Sequence, residues 1–249
     1  MATLVLFLFW LEHTPPGWMG KLQAIGYSVC HQIPSHSFKI GTMTFPLCSR
    51  CMGMYLGVFI GMIILLRKGN KSGFPSKKIM IIFGILIITW LVDGVNSFWY
   101  GALGKIILYT PNNTLRLITG FGMGLCISAV LYILFNITVW KDLNKNSPID
   151  IKTILLMGAG AILIISLIYL NNEILMTLFA YISTITIMTL LTTLYTIVWI
   201  ILLHKENSFR KLNELILMVN AGLVCALVQV ILLDAFRLAL TGTWASLVL

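Results

Sequence analysis

Three cysteines and two histidines within 22 residues are the chemistry this sequence offers: Cys30-His31-Gln32-Ile33-Pro34-Ser35-His36, then Pro46-Leu47-Cys48-Ser49-Arg50-Cys51. The 249-residue chain has only five cysteines and four histidines in all, so most of its metal-binding and redox-active side chains fall in one stretch. A Cys-x-x-Cys at the start of a helix suits two tasks, because free N–H groups and the helix dipole stabilise thiolate, and Arg50 adds a positive charge. The first task is metal binding, with Cys30, Cys48, Cys51 and one histidine forming a Cys3His set of the kind zinc accepts. His31 is adjacent to Cys30, and neighbours rarely point at one ion, so His36 is the alternative ligand. The second task is thiol–disulfide exchange through Cys48 and Cys51, with Cys30 as a resolving thiol. A structural disulfide or plain buried thiols would be the bland alternative. Met43, Met52 and Met54 suit copper(I) in principle, but membrane packing accounts for them. Cys126 and Cys225 lie in apolar runs and read as small core residues.

The elements that must position these residues are membrane helices. Hydrophobic residues make up 59% of the chain and charged residues 10%, and the mean hydropathy is +0.96, which excludes a soluble globular domain. The composition predicts an all-α polytopic membrane protein of about six transmembrane helices plus a short N-terminal segment, with residues 1–249 as one membrane domain. Met1 to Leu11 is too short to cross ~30 Å of hydrocarbon; it reads as an interfacial segment, or as a signal-like apolar region lacking basic residues ahead of it. Crossings are expected over Cys51 to Leu66, Ile79 to Val92, Leu117 to Val139, Thr153 to Leu170, Ile174 to Leu203 and Leu215 to Leu233. Between them, Gly94 to Asn113 reads as a loop or half-buried segment.

Charge sets the expected topology. Of the 17 Lys and Arg, eleven fall in the loops 67–78, 140–152 and 204–214 and six on the opposite side. Basic residues are retained in the cytoplasm, so the cysteine–histidine stretch, Asp93 to Arg116 and Asp234 to Arg237 are expected together on the non-cytoplasmic face of a multi-pass cell-membrane protein. The net charge of +9 then reflects topology, and no nucleic-acid partner is expected. Asp93 and Arg116 are costly near membrane ends unless paired or wet. Either they pair with each other, or Arg116, at a helix start beside Asn112 and Asn113, receives an anion.

Two patterns, Cys30-His31-Gln32-x-Pro34-x-x-Ser37-Phe38 and Pro46-x-Cys48-x-Arg50-Cys51-x-Gly53-x-Tyr55-x-Gly57, resemble the signature of the domain-of-unknown-function 2085 family of predicted prokaryotic membrane proteins. The resemblance continues through Asp93-Gly94, Asn113, Arg116 and Thr119-Gly120, so residues 22–125 form the family-like part and 130–249 add further transmembrane helices. His36 stands where the family pattern has an arginine, which favours His31 as the ligand. The resemblance implies one functional polar cluster on a helical membrane scaffold and no particular substrate.

These readings converge on a zinc site of Cys30, His31, Cys48 and Cys51 beside an anion-binding cluster of Asn96, Asn113 and Arg116, with the bilayer and an anionic lipid or small molecule as partners. In an enzyme, the metal would activate water or polarise an oxygen, Arg116 would hold the anionic group and Asp93 would move a proton. A membrane thiol oxidoreductase and a transporter are the alternatives.

Overall fold

The computed structural model describes residues 1–245. Among the described residues, eight α-helices account for most of the structure: α1 (Ala2–His13), α2 (Gly17–Val29), α3 (Ser49–Leu66), α4 (Lys77–Leu103), α5 (Asn113–Val139), α6 (Ile151–Tyr169), α7 (Glu173–Leu202) and α8 (Ile216–Thr241). Two short strands, β1 (Lys39–Ile40) and β2 (Met43–Thr44), pair antiparallel with Lys39 opposite Thr44 and form a small hairpin between α2 and α3. The six helices from α3 onward are long and apolar enough to cross a membrane, while α1, at 12 residues, reaches only ~18 Å. Side-chain caps fix several starts. Asn112 accepts from Leu115 N–H, Asp150 from Thr153 N–H, and Asn172 from Ile174 and Leu175 N–H, which satisfies donors that the first helical turn leaves free.

The centre of the molecule is the α3–α5 pair. A Cβ added at Gly53 would lie 2.2 Å from the Leu117 carbonyl oxygen, and one at Gly120 would lie 2.1 Å from that of Arg50. The two backbones therefore touch directly, as small residues spaced four apart allow in membranes. Consequently Arg50 and Cys51, in the first turn of α3, are locked in register with Arg116 and Gly120 of α5. By contrast α4 lies at the rim: 17% of its most apolar stretch is buried, against 61% for α5. On the other side, α8 packs against α7, α1 and α2.

Two expected helix ends are corrected. α4 does not stop at Asp93 but continues ten residues to Leu103, so Asp93 and Asn96 sit on a helix and not in a loop. α8 likewise runs through Asp234 to Thr241. Asp93 is ion-paired with Arg50, and one oxygen of Asp234 accepts from the Trp10 indole at 3.2 Å; a carboxylate with such a partner need not mark the membrane edge.

Candidate metal centre

The cysteine loop is built from backbone hydrogen bonds. α2 ends at Val29, and the N–H of Cys30 still donates to Gly26 O at 2.8 Å. Gln32 then adopts φ 55°, a left-handed conformation uncommon outside glycine, which turns the chain so that its own N–H faces Cys30 Sγ at 3.5 Å. The Gln32 side chain ties the turn down by donating to Gln23 O (2.9 Å) and Pro46 O (2.8 Å). After the hairpin, Cys48 caps the start of α3 and donates its N–H to Cys30 Sγ at 3.2 Å.

Cys51 follows one turn later, and the sulfurs of Cys30, Cys48 and Cys51 all lie within 4.8 Å of one another. All three cysteines are free thiols. Two backbone N–H groups aimed at one sulfur favour its thiolate, as does the α3 N-terminus for the other two. Hydrogen bonds donated by Cys30 and then by Cys51 hold the Cys48 thiol well below its ordinary range. For Cys30, donating to Cys48, with burial adding to the effect, outweighs the two N–H groups on its sulfur and pushes it up to about 12. Such a trio is prepared to give up its remaining protons to a soft divalent ion, because thiolates are the binding form.

The histidines flank the trio. His31 lies outside the three-sulfur set. Its Nδ1 accepts the Ile33 N–H at 3.0 Å, so the neutral ring carries its proton on Nε2 and offers a donor there. His36 stacks edge-on to it, with ring centroids 5.5 Å apart. Burial first, then the Arg116 charge, lowers His36 to about 4.

Asp93 is almost fully buried and pairs with Arg50, not with Arg116. It also accepts from Tyr109 Oη at 2.8 Å and from Thr119 Oγ1 at 3.4 Å, while Arg50 reaches Ser97 Oγ at 2.9 Å. Asn96 is engaged by the following loop, donating to Tyr109 O and accepting from Leu108 N–H. Asn113 bridges Ser35 O (3.3 Å) and Arg116 Nη1 (3.0 Å). Arg116 is 5% exposed and, among the described residues, has no carboxylate within ion-pair distance. Cys126 and Cys225 lie elsewhere, near Phe83 O and the Trp199 indole.

A family model described as a predicted membrane protein, domain of unknown function 2085, matches residues 30–131. The chain belongs to this family through those residues. An uncharacterized protein of Methanocaldococcus jannaschii is 37% identical over 115 residues, covering 45% of this chain and 66% of that protein. An uncharacterized protein of Methanothermobacter thermautotrophicus is 27% identical over 107 residues, or 43% of this chain and 86% of that protein. No solved structure matches the chain. Family membership and the six apolar spans together describe a multi-pass membrane protein.

The family match holds all three cysteines but ends within α5, and one residue bearing on the cysteine loop comes from beyond it. Arg237 of α8 donates to the carbonyls of Tyr27 (2.8 Å), Cys30 (2.5 Å) and His31 (3.1 Å), and its guanidinium lies 3.8 Å from the centre of the Tyr27 ring. The sequence reading placed Asp234 to Arg237 on the face of the motif but gave Arg237 no role. An arginine inside an otherwise apolar helix was the signal available. Tyr109 and Ser97 carried no comparable signal.

Proposed function

We propose that Cys30, Cys48 and Cys51 hold a metal ion, most naturally zinc, in a multi-pass membrane protein whose site also receives an anionic lipid or small-molecule group. The observation that carries this reading is the convergence of three sulfurs within 4.8 Å, with two backbone N–H groups aimed at one of them. Thiolate sets favour zinc among abundant divalent ions. His31 was the expected fourth ligand, with His36 as its alternative. The Ile33 N–H on Nδ1 occupies one ring nitrogen of His31 and leaves its Nε2–H as a donor, which favours a fourth position open to water or ligand, as a catalytic site requires. Four donated hydrogen bonds hold Asp93, which favours it as the anchor of Arg50 over a proton carrier. Arg116, buried without an acid, remains the anion-attracting charge. The distribution of Lys and Arg supports a non-cytoplasmic position for this face.

A second reading, thiol–disulfide exchange, draws on the lowered Cys48 thiol with two cysteines in reach. One experiment separates the two: elemental analysis of detergent-purified wild type and Cys48→Ser, with free thiols counted on the same samples. About one zinc per chain, lost in the variant, is the expected result. Absence of metal together with a reducible thiol pair would overturn the metal reading in favour of exchange.

A further inference from the structure

Glycines occur in two kinds of place in this protein, at close helix contacts and on open helix faces. At Gly53 and Gly120 an added Cβ would strike the backbone of the facing helix, so glycine there secures close packing. At Gly94 and Gly101 of α4 an added Cβ meets nothing within 4 Å. A glycine inside a helix costs about 1 kcal/mol relative to alanine, and no close approach offsets that cost at these two positions. What they border is a cavity of about 320 Å3, between one face of α4 and the cysteine loop. His31, His36 and Arg50 form its polar end, while Ile33 and Phe98 make it largely apolar elsewhere.

The charge around this cavity is unbalanced. Arg50 lines it and is bonded to Asp93, so the charge of Arg116, which lies near both but outside the lining and has no ion-pair partner among the described residues, is left over. The outer wall is α4, whose Val95, Phe98 and Trp99 are exposed on the apolar surface that six spans present to lipid. A site with a positive polar end, an apolar body and a lipid-facing wall matches a molecule with one anionic end and a hydrocarbon chain.

We propose that the cavity binds a membrane amphiphile with an oxyanion head, phosphate or carboxylate, entering sideways past α4. Its head lies against Arg50, His31 and His36, and the start of its chain lies over Phe98 and the glycine face. This rests on the anionic-ligand part of the function proposed above and moves that ligand from Asn96 and Asn113, whose amides are engaged, to this cavity.

The test uses the full-length protein in a neutral maltoside detergent, with dodecyl phosphate, dodecanoate and inorganic phosphate as probes and binding read by native mass spectrometry. Gly101→Leu puts a side chain into the cavity from a position where an added Cβ meets nothing within 4 Å. Gly84→Leu is the control, because an added Cβ there also meets nothing within 4 Å and it lines a different cavity. Dodecyl phosphate or dodecanoate is expected to bind wild type and Gly84→Leu equally, and Gly101→Leu at least about tenfold more weakly, the size of effect a misfitting group has in an apolar pocket. Equal binding to all three proteins would overturn the location while leaving the anionic-ligand reading intact. Inorganic phosphate binding as tightly as dodecyl phosphate would overturn the amphiphile. Failure of both amphiphiles to bind wild type would overturn the proposal and the anionic-ligand reading together; zinc content, measured on the same sample, reports separately on the metal.

Discussion

Two arginines brace the cysteine loop by different physical means. Arg50 lies between two of the cysteines and forms an ion pair with Asp93 of α4, so it ties the motif to the rim helix through charge. Arg237 reaches in from α8, 207 residues from Cys30, and forms no ion pair among the described residues. It donates to three carbonyls at the end of α2 and stacks on Tyr27, acting as a C-terminal cap of the kind a cation supplies to a helix end. Arg50 lies within the family match and Arg237 outside it. The comparison teaches that Arg50 is neutralised by a residue within the family match, whereas the shape of the cysteine loop is set in this chain by a later helix.

The largest effect should come from breaking the charge pair. Arg50→Met leaves Asp93 buried without a counter-ion, and the expected loss is about 3 kcal/mol or more of stability, measured by thermal unfolding in detergent. Adding Asp93→Asn to that variant should recover most of the loss; failure to recover would mean that Arg50 acts through packing and not through charge. Arg237→Met should act on the loop more than on the fold. We expect zinc affinity, read by competition with a chromogenic chelator, to fall by about 10- to 100-fold, as for other residues that orient metal ligands, with stability lowered by about 1–3 kcal/mol for carbonyls left without donors. Arg237→Lys should restore part of the affinity, since one ammonium group cannot reach all three carbonyls. Equal zinc affinity in wild type and Arg237→Met would remove the distinction between the two braces.

The smallest effect is in titration. His36 is held at about 4, and both Arg116 and Arg50 contribute to that lowering. Its pKa in the folded protein is therefore below its unfolded value of ~6.5, so its contribution to stability is present above that value and is lost as pH falls toward about 4. His36→Gln should flatten the acid side of the stability profile. Monitored by NMR of the ring, His36 should titrate higher in Arg50→Met and stay unchanged in Arg237→Met.

The six spans were legible because each is a long apolar run, and the three-sulfur cluster because three cysteines fall in so short a stretch. What misled the reading of Asp93 was the rule that a charge ends a hydrophobic segment. Arg50 neutralises the carboxylate from the neighbouring helix, and no local pattern reveals a partner 43 residues away. Asn96 read as a ligand group because it is polar and near the motif. Its amide instead holds the backbone of the 104–111 connection, a use that depends on where the chain turns after α4. The role of Arg237 depends on α8 lying beside α2, a contact set by the whole bundle.

The link from Arg237 to Tyr27, Cys30 and His31 also bears on the order in which the protein is made. A ribosome releases Cys30, Cys48 and Cys51 long before α8 has been synthesised, so the nascent loop first exists without its cap. Metal taken up early would meet a looser set of thiols, and the arrangement around the loop is complete only when α8 has inserted. A chain stopped before residue 216 should keep every cysteine of the motif and still handle its metal as an unfinished protein.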